Sequence, residues 1–131
     1  MQREQYSQRE GQIRSSDHDP MAMFLYAIKA KETKRQYISK LQAFFDYLNL
    51  QGELNEQAAQ FVDRSLKEAG WAMASLMRFI NLQKERVSRK EITEATLRNY
   101  YKPIKLFCEM NDIEISWKKI AKGIPRGRNG I

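Results

Sequence analysis

Thr33, Arg35, Tyr37 and Phe44 stand in TKRQYISKLQAFF (residues 33–45), and Thr96, Arg98, Tyr100 and Phe107 stand in TLRNYYKPIKLFC (residues 96–108), at a constant offset of 63. A hydroxyl and a guanidinium at a helix start are equipment for holding a phosphate. The first-turn N–H groups have no intrahelical partner and carry partial positive charge, and Thr and Arg add further donors. Lys31 and Lys34 stand beside the first start, and Lys102 and Lys105 beside the second. Phosphate contacts hold a protein in register on a duplex. Base reading needs exposed polar side chains, for which Arg35, Gln36, Ser39, Arg98 and Asn99 are the candidates.

Other chemistries have little to work with. The single histidine, His18, sits in a polar N-terminal stretch. There is no Cys/His cluster at zinc spacing and no Gly-rich phosphate loop after a strand. The serines lack a histidine base. Tyr37, Tyr100 and Tyr101 fall on or beside apolar stripes, where packing with a partner for the hydroxyl is the expected use. The chain is therefore read as a non-enzyme with no catalytic residue, no metal site and no cofactor. The lone Cys108 rules out an intrachain disulfide and agrees with a cytoplasmic, reducing setting.

The 131 residues suit one domain, and the net charge is +7. Residues 1–83 hold 11 basic against 10 acidic side chains, whereas residues 84–131 hold 12 against 6. From Ile115 onward, Lys118, Lys119, Lys122, Arg126 and Arg128 occur without an acid. A second cluster comprises Lys29, Lys31, Lys34, Arg35 and Lys40, relieved only by Glu32. Such concentrations point to a polyanion partner, the bland alternative being a solvated face. The longest apolar run, Met21–Ile28, is far short of the ~20 residues of a membrane span, so no membrane role is expected.

The periodicity is helical throughout. Residues 1–19 are polar and are expected to form a flexible tail. Pro20 opens a short helix. Tyr37, Leu41, Phe44 and Leu48 stripe a helix from about Glu32 to Leu50, with Gly52 as its left-handed cap. Asn55 is read as the cap of a helix to Ala69 whose inner stripe is Ala58, Ala59, Val62, Leu66 and Ala69. Trp71–Leu82 is apolar on nearly every face, which predicts the central helix. Thr93 caps a helix carrying Leu97, Tyr100, Tyr101, Ile104, Phe107 and Cys108, with a kink expected at Pro103. Ser116 caps a last short helix. The fold class is all-α, with about four main helices in crossed antiparallel pairs over residues 20–122 and a basic linker beginning at 123–131.

The two helix starts, T-x-x-x-Y-x-x-x-[LI]-x-x-F, resemble the SAM-like core-binding domain of tyrosine recombinases of the phage-integrase type. The first copy runs Ala30-Lys31-Glu32-Thr33 to Tyr37, Leu41 and Phe44, and the second runs Thr93-Glu94-Ala95-Thr96 to Tyr100, Ile104 and Phe107. FCEMNDIEISWKKIAKGIP (residues 107–125) is similar to the close of that domain, with its Asn-Asp turn, Trp-Lys-Lys helix and basic linker. Ala30 replaces the usual capping Ser or Thr, and Pro103 interrupts the second copy.

The resemblance implies a domain that grips one side of double-stranded DNA during integration or recombination. A C-terminal catalytic domain, absent from this chain, would close the clamp, with other recombinase protomers on the same DNA. That domain would bring an Arg, a His-x-x-Arg motif and a Tyr nucleophile, none of which maps here. The expected DNA-binding residues are Lys31, Thr33, Lys34, Arg35, Ser39, Thr96, Arg98, Asn99, Lys102, Lys105, Lys118, Lys119, Lys122, Arg126 and Arg128. The second start lies in the more basic half and is expected to be the stronger contact. The alternative is a helical protein-interaction module, with Met73 and Met77 as its surface.

Overall fold

The structure, a computed structural model, describes residues 19–125. Six helices and no strand lie among the described residues: α1 (Pro20–Tyr26), α2 (Lys31–Tyr47), α3 (Leu54–Lys67), α4 (Trp71–Ser88), α5 (Glu94–Met110) and α6 (Trp117–Lys122). The all-α expectation holds. The expected tail, apart from Asp19, lies outside the described residues, as do Arg126, Arg128 and the rest of the expected linker beyond Pro125.

The boundaries follow local chemistry. Asp19 accepts a hydrogen bond from the Ala22 N–H at 3.1 Å, and Pro20 takes the first helical position, where its missing N–H costs nothing. Thr93 Oγ1 accepts from the Thr96 N–H at 3.1 Å to start α5. Two predicted caps are replaced. Glu53, not Asn55, precedes α3, and its N–H donates to Glu56 Oε1 at 2.7 Å. The left-handed residue that follows α2 is Asn49 (φ 59), while Gly52 (φ 91) makes the turn into α3. A Cβ on Gly52 would push the end of the Glu56 side chain aside, and the positive φ is what favours glycine there. The helical assignment of α5 continues through Pro103, whose ring is buried.

The core is aromatic. All six phenylalanines of the chain, Phe24, Phe44, Phe45, Phe61, Phe79 and Phe107, are buried and supplied by five different helices. Phe44 meets Phe61 and Phe79 with ring centroids 5.5 and 5.1 Å apart. Phe107 meets Phe24, Phe45 and Phe61 at 5.7, 5.4 and 6.0 Å. Edge-to-face and tilted contacts of this kind add about 0.5–1.5 kcal/mol each beyond area burial.

Two expectations fail here. The inner face of α3 is Gln57, Ala58 and Phe61, whereas Ala59 is exposed and Leu66 is 67% exposed. Phe61 is the bulkiest apolar side chain of the helix, and the aromatic cluster captures it, rotating the helix away from the alanine-rich stripe. The central helix is α5, which packs on α1, α2 and α4, and not α4. The outer face of α4 keeps Met77 46% exposed, because apolar residues exceed what one buried face accommodates.

One buried polar hub joins α2 to α3. Gln57 donates from Nε2 to Asp46 Oδ1 at 3.0 Å and to the Leu50 carbonyl at 2.9 Å, and its Oε1 accepts from Gln42 Nε2 at 2.6 Å. Each polar atom of a side chain that is 2% exposed thus has a partner, which burial demands.

These contacts set a stability contrast. Phe107→Ala is expected to lower unfolding free energy by about 3–5 kcal/mol, and Leu66→Ala by less than about 0.5 kcal/mol, in urea titrations. Equal losses would mean the core is misassigned. Burial pushes the Cys108 thiol far above its usual range, so alkylation of Cys108 is expected to wait for unfolding.

Candidate nucleic-acid interface

The two similar segments meet in space. Of all helix pairs, α2 and α5 share the most extensive contact, and the N-terminal halves of both line an open cleft of about 410 Å³. Arg35, Gln36, Tyr37, Ser39 and Lys40 form its α2 wall, and Asn99 stands on the α5 side. Spacing explains the arrangement. On α2, Leu41, Phe44 and Phe45 face the core, which turns positions 35, 36, 39 and 40 along the rim of the buried stripe. On α5, Leu97, Ile104, Phe107 and Cys108 are buried, leaving Asn99 outward.

The cleft is cationic with one acid at its edge. Lys40 Nζ lies 4.5 Å from the centroid of the Tyr100 ring, which holds the ammonium in place by cation–π attraction without neutralising it. Arg35 pairs with Glu32 one turn earlier, and Gln36 Nε2 donates to the same carboxylate at 3.0 Å. The hydrogen bond from Arg35, then that from Gln36, holds the Glu32 carboxyl below its usual range. Stability from the pair is therefore present above the ordinary carboxylate pKa and is lost only as pH falls through the depressed one. Glu32 is ionised at neutral pH and competes with any anion for Arg35.

The two helix starts differ in their free donors. At α5, the Thr96 N–H is taken by Thr93 Oγ1, and the two threonine hydroxyls lie 3.1 Å apart. At α2, the cap position is Ala30, which offers no side-chain acceptor, so the first-turn N–H groups find none there. The bare start belongs to the first copy, with Lys31 exposed and Thr33 and Lys34 half-buried around it.

The remaining expected residues lie elsewhere. Arg98 Nη1 donates to the Pro125 carbonyl at 3.2 Å, and Lys105 Nζ stands 6.0 Å from the Trp117 ring. Together with the Tyr101–Trp117 edge contact at 6.0 Å, they fasten α6 and the chain after it onto α5. Lys102 is exposed on α5 outside the cleft lining. Lys118, Lys119 and Lys122 are exposed on α6, with Lys119 beside α4. The cleft thus unites Arg35, Ser39 and Asn99 of the expected set. It adds Lys40 and Tyr37, which sequence reasoning left in a charge cluster and a core stripe. The signal that could have found Lys40 is its place four residues after Gln36, one turn on along the same helix face.

Among the described residues, no group of three or more His, Cys, Asp or Glu side chains is placed to hold a metal ion, and no helix is long and apolar enough to cross a membrane.

The asymmetry of the caps is measurable. Thr93→Ala is expected to cost about 1 kcal/mol in chemical denaturation, and Ala30→Ser to gain about 1 kcal/mol. Opposite signs would show that the α5 start is already satisfied and the α2 start is open.

The chain matches no family model, no curated protein and no solved structure.

Proposed function

We propose that this domain binds double-stranded DNA as the core-binding part of a tyrosine-recombinase-type protein working in the cytoplasm on the nucleoid. A separate C-terminal domain would supply the catalytic residues. The observation that carries the reading is the α2–α5 cleft, which places Arg35, Gln36, Ser39, Lys40 and Asn99 together beside an uncapped helix start. Cations and free N–H groups suit phosphates, and the amides of Gln36 and Asn99 suit base edges, particularly the paired donor and acceptor of adenine. The crossed antiparallel arrangement of the resembling family belongs to the same proposal. Weight moves from the second copy to the first, because Thr93 already occupies the α5 start and Arg98 is engaged with Pro125.

A second reading, docking on a protein partner, is favoured by one observation: the outward exposure of Met77 on α4. The two readings use different faces and are separable by mutation.

Titration of a short duplex with the full chain tests the first. With about five phosphates neutralised, the slope of log K against log salt is expected near −4.5. Arg35→Ala and Lys40→Ala are each expected to weaken binding and reduce the slope magnitude by about 0.9. Glu32→Gln releases Arg35 and Gln36 and is expected to tighten binding, while Glu53→Ala leaves it unchanged. No binding at about 50 mM salt, where phosphate contacts are favoured, overturns the reading. So does an equal loss in the Glu53 variant.

A further inference from the structure

We infer that the outer face of α4 is a self-complementary docking stripe, and that its occupant is a second copy of this chain, laid antiparallel across a two-fold axis. Met73, Met77 and Lys84 follow one another at helical spacing on α4, with buried Ile80 beneath them. At the N-terminal end of the stripe, Met73 and the 67% exposed Leu66 line a groove closed by Asp112, Ile113 and Glu114 of the α5–α6 link. At the C-terminal end, Met77 lines a smaller groove with Asn81, Lys84, Lys119 and Gly123.

The charges at the two ends are opposite and unspent. Asp112 and Glu114 make no ion pair among the described residues, and neither do Lys84 and Lys119. An apolar stripe that is acidic at one end and basic at the other has one self-match. A second stripe running the opposite way sets methionine on methionine and each acidic end on a basic end. A parallel match would set like on like at both ends. Two-fold symmetry repeats each favourable contact, which is how isologous interfaces are built. Methionine suits such a surface because its unbranched thioether adapts to an opposing side chain.

The size of the stripe sets the strength. The eleven residue steps from Met73 to Lys84 span about 16 Å along the helix. The patch therefore falls well short of the ~800 Å² per partner of a standard stable interface. The pair is a weak dimer, seen at high protein concentration, whose register is chosen by the end charges. The inference stands apart from the DNA reading, since the cleft lies on α2 and α5.

Sedimentation equilibrium of the full chain over a concentration series tests it, with helical content of every variant checked by circular dichroism. Wild type is expected to dimerise. Lys84→Glu with Lys119→Glu makes both ends acidic and is expected to weaken the dimer by roughly tenfold or more. Asp112→Asn with Glu114→Lys makes the other end basic, and asparagine is chosen because position 112 has φ 55, which it tolerates. That variant is also expected to be weakened. An equimolar mixture of the two is expected to recover a heterodimer, because every end contact is then acid on base. A wild type that stays monomeric overturns the inference, including the case in which deleting residues 1–18 brings dimerisation out and so shows the stripe to be covered by the chain's own N-terminal segment. Variants that dimerise as well as wild type overturn it, and so does a mixture that shows no recovery.

Discussion

Ring-to-ring contact among the phenylalanines is the constraint on which the remaining structure depends. One aromatic cluster takes at least one ring from each of α1 to α5, and no helix can rotate about its axis without withdrawing its ring. Interiors are packed to crystal-like density, so such a rotation would open a cavity as well as break a contact. The cluster therefore sets the facing of every long helix, and through it the outward positions. Phe44 and Phe45 inward means Ser39 and Lys40 at the rim. Phe107 and Ile104 inward means Asn99 outward. Phe79 inward leaves Met77 in solvent.

The resemblance between residues 33–45 and 96–108 acquires a physical meaning in this frame. Each segment lays an aromatic and aliphatic stripe against the same core, and the two helices lie side by side. Their differences then become complementary. The second start is closed by its own threonine, and its arginine secures the C-terminal chain. The first has an alanine in the capping position and keeps its donors outward. One copy thus spends its polar groups on internal contacts, and the other leaves its first turn without a side-chain cap. The Lys40–Tyr100 contact ties them across the cleft, so a cation of one copy is positioned by the tyrosine of the other.

Much of this was legible in the residues. The Thr93 cap, the Pro20 start, the stripe through Leu41 and Phe44, and the helix from Glu94 through Phe107 follow from period and capping chemistry alone. Other features depended on distant partners. Nothing local tells α3 to prefer Phe61 over Leu66; that choice is made by Phe44, Phe45 and Phe107 on other helices. The apolar letters of α4 signalled a central position, yet the central helix is α5, because centrality depends on neighbours and not on composition. Arg35, Ser39 and Asn99 were expected among the DNA-contacting residues, and the fold gathers them in one cleft. Arg98 and Lys105 carried the same signal, but whether a cation meets solvent or holds down Trp117 and Pro125 is decided by where the following chain returns.

Pro103 gives the α5 wall a property of its own. Having no N–H, it leaves the carbonyl of Asn99 without the donor that a helix supplies four residues on. Its ring is packed in the core, so the missing rung cannot be repaired by turning the helix. The backbone hydrogen-bond ladder is thus interrupted at the residue that lines the cleft, while Ile104 and Phe107, one turn further on, are locked among the aromatics. The one rung that proline removes from α5 thus falls at a residue of the cleft wall, on a foundation of packed rings.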